Sequence, residues 1–334
     1  MKAKHPQSPP PTIPTTDTAP KFFTPQQISD GVKSFHKGSA SGPSGFRPEH
    51  LVVTLKAAPN QAGRAETQLC RLVNVMAKGA VPASVAPHLC GARLHAGNKK
   101  DGGLRPIAVG NILRRLTSKV MARSLVDKME GLLAPHQLGV SVRGGAEVAV
   151  HSVKEALARQ PDKWVLQLDL QNAFNCVDRS IMLAEVARLL PECLPWAVTC
   201  YGSPSFLQFG QFTLTSSTGV QQGDPFASDL FALVLQPVID AIESEVPSLD
   251  AHAWFHDDSN SVGTKEELSK VVQVVQRDGP ARGLHLNLDK SSVWSPVATG
   301  PGEADPLKCG IKRVEDTGIK LLGCPVGDRA LAFF

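Results

Sequence analysis

Residues 164–170, WVLQLDL, alternate in character along an extended chain: Leu166, Leu168 and Leu170 fall on one face, Val165, Gln167 and Asp169 on the other. That is a strand with an acidic residue near its end. Further along, AHAWF-HDD-SNSVG reads as a hairpin with Asp257 and Asp258 at its tip. An Asp pair in a loop is usually solvated turn chemistry. This one follows an apolar aromatic segment, and if the hairpin neighbours strand 164–170 in one sheet, three carboxylates converge at one edge. Two divalent cations about 4 Å apart require such a cluster, because uncompensated like charges would repel strongly. Magnesium takes oxygen ligands and keeps positions open for substrate phosphates. Neither His nor Cys stands beside Asp169, which argues against zinc.

The elements around these carboxylates run strand, helix, strand, helix, β-hairpin, helix, which predicts a mixed α+β sheet carrying helices on one face. Asp178 is placed to cap a helix whose apolar stripe is Met182, Val186 and Leu189. QFTLTSSTGV reads as a strand or strand pair, and QQGDP leads into a helix from Pro225 to about Glu243 with Asp224 at its N-cap. KEELSKVVQVVQRDG is an amphipathic helix and SPVATGPGEADP a loose linker. Upstream, TPQQISDGVKSFH is a short helix, and KKDGG is a turn between the strands RLHAG and LRPIAVG. Residues 111–133 read as one helix ending at Ala134-Pro135. The opening MKAKHPQSPPPTIPTTDTAP has no apolar h-region and is expected to stay extended or disordered.

With 334 residues, 42% of them hydrophobic and 20% charged, the chain can bury a sizeable core. It has no apolar run of the roughly 20 residues that a membrane span needs. Its seven cysteines show no zinc-type spacing, which fits a reducing, intracellular setting. The net charge is only +4, yet nine basic residues face three acidic ones between Gly91 and Glu130. Arg115, Lys119 and Arg123 recur at helical spacing on one side of that block. A phosphate-rich partner requires such a block, and a solvated helix face would look the same.

Several segments, in order, resemble the motifs of reverse transcriptases, most closely those of non-LTR retrotransposons. LDLQNAF (168–174) resembles the first palm motif, TGVQQGDP (218–225) the G-x-x-Q-G-D-P loop, and FHDD (255–258) the aromatic-x-D-D hairpin. GLHLNLDKS (283–291) is similar to the element that follows, and LLG (321–323) to the hairpin that grips the primer. SGPSGFRPEHL resembles the N-terminal element, KKDGGLRPIAV the fingers hairpin, and HQLGVSVRGGAE the template-contacting segment.

The resemblance implies an α+β right-hand polymerase: a disordered tail at 1–22, fingers at 23–160, and a ferredoxin-like palm at 161–334 that ends in a primer-grip-like hairpin; the family's thumb is expected to be absent, a departure from its pattern. It implies RNA-directed DNA synthesis with two Mg²⁺ ions, for which Mn²⁺ can substitute, held by Asp169, Asp257, Asp258 and the Leu170 carbonyl. Phe174 would exclude a 2′-hydroxyl. Gln222, Gly223, Arg105, Lys100 (or Lys99) and Lys290 would bind the dNTP. Arg115, Lys119, Arg123, Arg143, His256 and Gly323 would contact template or primer. The implied partners are an RNA template, a DNA primer, dNTPs and other domains of a longer retroelement polyprotein, with no membrane. A group II intron-type maturase, another template-directed polymerase, and a decayed fragment that only binds RNA are the alternative readings. His256 departs from the small or aliphatic residue usual in its slot. It is either partly cationic, raised by the flanking carboxylates, or a neutral ring filling space against the hairpin.

Overall fold

The computed structural model describes residues 1–56, 59–98, 102–297 and 302–327. Helices α1 (Pro25–Lys33), α2 (Pro48–Lys56), α3 (Pro59–Ala77) and α4 (Ala86–Leu89) precede strands β1 (Ala92–Asn98) and β2 (Leu104–Gly110). Then come α5 (Ile112–Arg123), α6 (Val126–Leu133), α7 (Gly145–Arg159) and β3 (Trp164–Leu168). They are followed by α8 (Ala173–Cys176), α9 (Arg179–Leu189), α10 (Leu194–Tyr201), β4 (Ser205–Phe209) and β5 (Phe212–Ser216). Next are α11 (Ala227–Glu245), β6 (Ala251–Phe255), β7 (Asp258–Gly263), α12 (Lys265–Asp278) and β8 (Ser292–Trp294). Short strands β9 (Lys312–Arg313), β10 (Gly318–Leu321) and β11 (Cys324–Gly327) close the described chain.

Contacts divide the chain into two units, Met1–Val126 with Phe174–Phe231, and Asp127–Ala173 with Ala232–Phe334. A single boundary near residue 160 was expected. The contact division groups residues 174–231 with the N-terminal segment, in keeping with the parallel pairing of β4 with β1.

The first unit is built on a sheet of order β2-β1-β4-β5. Antiparallel pairing of β1 with β2, up to Asn98 opposite Leu104, bears out the expected hairpin, although residues 99–101 of KKDGG lie outside the described residues. Thr24 and Gln27 close a capping box at the start of α1. The helix expected over 111–133 is two helices. At the break the Ser124 hydroxyl donates to the Met121 carbonyl at 2.7 Å, the local competition by which serine ends helices.

The N-terminal tail is extended as expected, but it is seated rather than disordered. Gln7 donates to the Thr215 carbonyl (2.9 Å), the Ser8 N–H to Ser217 Oγ (3.1 Å) and the Thr12 N–H to Ser180 Oγ (3.0 Å). A proline-rich segment is already extended when free, so docking costs it little conformational entropy.

The second unit is a mixed α+β sheet of palm type, with order β6-β7-β3-β8-β9. Val150 and Val153 of α7 pack on Val165, Val262 and Trp294 of that sheet, and Ile319, Leu321 and Val326 of the β10–β11 hairpin join the same cluster. Each fully buried aliphatic chain there contributes about 1.5–3 kcal/mol. Leu166 and Leu168 are buried outside this cluster, as alternation along β3 requires. Thr264 and Glu267 form a capping box on α12, bearing out that helix. Among the described residues, no helix is long and apolar enough to cross a membrane.

Candidate active site

Strands β3 and β7 run antiparallel with Leu168 opposite Ser259, so the residues one step beyond them, Asp169 and Asp258, face each other across the same pair. Both line one recess of about 290 Å³, together with Lys290, Asn260 and Lys320. Asp257 sits in the two-residue turn between Phe255 and Asp258, which pair with each other, and it is not part of that lining.

Asp169 is tightly oriented. Its Oδ2 accepts from Asn287 Nδ2 at 2.7 Å, its carbonyl from the Asn287 N–H at 2.8 Å, and its own N–H donates to Ser291 Oγ at 3.2 Å. Asn287 and Ser291 belong to GLHLNLDKS, in which only Lys290 was singled out from sequence; the Asn side chain gave no local sign of its partner. Leu170 and Leu286 form a bridge whose hydrogen bonds come from their neighbours, Gln171 N–H to His285 O and Asn287 N–H to Asp169 O. The Leu170 carbonyl takes no part in that bridge.

His256 is the first residue of the turn, with φ of 56°. A side chain in this left-handed region costs about 1–3 kcal/mol, and the site supports it from outside the hairpin. Gln137 Nε2 donates to the His256 carbonyl (3.0 Å), and Gln137 Oε1 accepts the His256 N–H (2.9 Å). Burial pushes the His256 imidazole below its ordinary pKa, so the neutral form is favoured at neutral pH. Of the two readings of this ring, burial favours the neutral one. Because His256 lies in a turn, strand alternation does not set where its ring points.

The other candidates fall into place by unit. In the second unit, Gly323 follows Leu322 in the β10–β11 turn, where φ values of 91° and 47° make the two-residue turn that favours glycine. Lys320 and Leu322 of this hairpin reach the same recess as Asp169. Arg143 is exposed ahead of α7.

In the first unit, the Gln222 carbonyl accepts from the Ala108 N–H of β2 at 2.7 Å. Gly223 has φ of 126°, and a Cβ there would collide with the Ala108 carbonyl, so only glycine fits. Arg105 is exposed on β2, while Lys99 and Lys100 lie outside the described residues. Phe174 is half-buried and stacks on Phe231, ring centroids 4.5 Å apart. Asp224 does accept the Phe226 N–H, as a cap would. Its larger role is to receive the buried Arg114 guanidinium (2.8 Å) and the Tyr201 hydroxyl (2.6 Å). Arg115 donates to the Ala40 carbonyl (2.9 Å) and Lys119 to the Ser34 carbonyl (2.8 Å), both over the Phe35 ring; Arg123 is exposed.

Elsewhere in the second unit, His136, Glu243 and His252 place donor atoms within 4.8 Å of one another. Their protons are accounted for without a cation. His136 Nδ1 faces the His252 carbonyl at 2.8 Å and so carries a proton, and Nε2 pairs with Glu243 at 2.9 Å. The Trp254 indole N–H donates to His252 Nε2 (2.7 Å), which leaves the ring proton on Nδ1 and no lone pair to offer a metal. Burial and His136 push the His252 pKa down to about 3.

The sequence profile of the reverse transcriptase (RNA-dependent DNA polymerase) family matches residues 98–326. The Retrovirus-related Pol polyprotein from type-1 retrotransposable element R2 of Bradysia coprophila is 25% identical over 224 residues, covering 61% of this chain and 25% of that protein. The Putative COX1/OXI3 intron 1 protein of Saccharomyces cerevisiae is 22% identical over 94 residues, 28% of this chain and 11% of that one. Among solved structures, telomerase from Candida albicans in complex with a TWJ fragment of telomeric RNA matches with a TM-score of 0.52 and 11% identity, over 75% of this chain and 46% of that one. Apo telomerase from Candida tropicalis gives 0.52 and 12%, over 74% and 48%. At such identity these structures speak to the fold alone, and the chain spans a quarter to a half of each protein's length apart from the intron protein, where it spans less. The matched profile extends from the end of β1 through the carboxylate-bearing strands to β11, and the chain belongs to the reverse transcriptase (RNA-dependent DNA polymerase) family.

Proposed function

We propose that this chain is the catalytic core of an RNA-directed DNA polymerase that joins dNTPs to a primer 3′-hydroxyl by two-metal nucleotidyl transfer. The observation that supports this most is the β3–β7 pairing, which brings Asp169 and Asp258 to one recess that offers oxygen donors and, among the described residues, no His or Cys in its lining. That donor set suits magnesium, and manganese as its substitute. Asp169, Asp257 and Asp258 would hold the ions, with the Leu170 carbonyl as a further oxygen ligand. When bound, the ions would promote deprotonation of the primer hydroxyl and stabilise charge on the α-phosphate and the leaving pyrophosphate.

The chain's own residues do the rest. Asn287 holds the Asp169 carboxylate in one orientation through its 2.7 Å bond, so the ligand is set before substrate arrives. Lys290, on the same recess, neutralises the departing pyrophosphate. Gln222 and Gly223 meet the nucleotide, Gly223 because its turn lets the backbone come close, and Arg105 with Lys100 holds the triphosphate. Phe174 excludes the 2′-hydroxyl. His256 and Gly323 lie along the primer, while Arg115, Lys119, Arg123 and Arg143 face the template. An RNA template, a DNA primer and dNTPs are thus its partners, with further domains of a longer retroelement polyprotein. Primer extension on poly(rA)/oligo(dT) with dTTP and Mg²⁺ tests the reading. Extension on that template is expected, and extension on a DNA template with none on RNA would overturn it.

A further inference from the structure

The turn bearing Asp257 is gripped by a segment far away in sequence. The Trp254 N–H donates to the His136 carbonyl and the Leu138 N–H to the Trp254 carbonyl, both at 2.7 Å, so residues 136–138 lie alongside β6. Between those two bonds the fully buried Gln137 reaches past the strand end, and its amide closes on both main-chain groups of His256, at 2.9 and 3.0 Å. Gln137 Oε1 also accepts from the Gly139 N–H at 3.0 Å, which fixes the amide from its own side. Gly139 lies so close to the turn that a Cβ there would collide with the His256 nitrogen. On the far side, a Cβ on Gly145 would strike the Leu138 carbonyl, so the start of α7 backs the same segment.

Answering one residue's N–H and C=O together takes a side chain that both accepts and donates, and a primary amide does so without charge. A carboxylate would set oxygen against the His256 carbonyl oxygen, and an aliphatic chain would answer neither group. What Gln137 holds is a conformation that the His256 backbone would otherwise resist, at the residue just before Asp257.

We infer that Gln137 is a positioning residue: by clamping the His256 main chain in its left-handed conformation, it sets the turn from which Asp257 and Asp258 meet the divalent cations. The inference rests on the reading of those carboxylates as metal ligands, and Gln137 itself touches neither substrate nor ion.

The test reads the turn and the cation separately, in the full chain without nucleic acid. Amide hydrogen exchange at His256 is followed by NMR, Mn²⁺ binding by electron paramagnetic resonance, and folding by thermal melting. Gln137→Leu, or Gln137→Glu if the leucine variant does not fold, should speed exchange at His256 at least tenfold and weaken Mn²⁺ binding at least fivefold. Adding His256→Gly should recover most of the lost Mn²⁺ affinity, because glycine adopts the turn conformation unaided. A role confined to core packing would not be rescued this way. Folded Gln137 variants that bind Mn²⁺ within twofold of wild type, or affinity that His256→Gly does not restore, would overturn the inference. If wild type binds no Mn²⁺, the inference falls with the polymerase reading. If wild type extends primers and the variants bind Mn²⁺ as it does, only the inference falls.

Discussion

Phe174 can serve the sugar, the core or both, because its ring is half-buried and stacked on Phe231. Trimming it to valine separates these roles. If the ring excludes ribose, Phe174→Val should raise the rNTP/dNTP efficiency ratio more than tenfold, about 1.4 kcal/mol of differential transition-state energy. An unchanged ratio with a lowered Tm would assign the ring to the stack. Asp229 makes a second residue-scale case. Burial, helped by the charge of Asp224, pushes its pKa up to about 7. The unfolded carboxylate titrates near 3.9, so between roughly pH 4 and 7 the native chain holds a proton that the unfolded chain has lost. Stability should therefore fall as pH rises through that window. Asp229→Asn removes the ionisation, so its stabilisation over wild type should grow from pH 4.5 to 7.5, to at most about 4 kcal/mol, and then level off. A pH-independent difference in chemical denaturation would contradict this. Neither environment was legible locally: Phe231 reaches Phe174 from a distant helix, and what buries Asp229 is set by packing around α11.

At the scale of elements, α5 shows where reading a helix from its sequence succeeds and where it stops. Four-residue spacing places Arg115, Lys119 and Arg123 on one side, and the structure keeps that side. It also gives Arg115 and Lys119 main-chain acceptors at Ala40 and Ser34, while Arg123 stays exposed. Arg123→Ala should accordingly lower the slope of log K against log salt for template binding by about 0.7–0.9 with little change in Tm. Arg115→Ala and Lys119→Ala should lower Tm as well. Equal slopes for Arg123→Ala and wild type would return that residue to plain solvent. The neighbouring Arg114 points the other way, fully buried against Asp224. Arg114→Met should cost about 3–5 kcal/mol in urea unfolding, because it strands a buried carboxylate. A loss under about 1 kcal/mol would mean that water reaches the Asp224 carboxylate. Helical periodicity marked the exposed stripe; it could not mark Arg114, whose partners Gln221 and Asp224 lie more than a hundred residues away.

For the whole molecule, the parts legible in the sequence were those whose signal is local. Strand β3 running up to Asp169, the hairpin that carries Asp257 in its turn and Asp258 at the start of β7, the β1–β2 hairpin and the amphipathic helix α12 all appear where alternation, turn chemistry and helical periodicity placed them. What escaped depends on contacts distant in sequence. The β1–β4 pairing moves residues 174–231 into the first unit, Asn287 orients Asp169, and Gln137 clamps His256. The tail's docking along residues 215–218 is of the same kind, since proline content reports extension but not a seat. The account as a whole depends on the carboxylates of the second unit acting as cation ligands in nucleotidyl transfer. The most direct test is the rate of dTTP incorporation on poly(rA)/oligo(dT) by Asp169→Asn. This change keeps an oxygen for Asn287, removes the charge and replaces the second carboxylate oxygen by an NH₂ group that cannot bind a cation. The expected result is a fall of at least a thousandfold, about 4 kcal/mol, with template–primer affinity within threefold of wild type. Residual activity above one tenth of wild type would contradict the account.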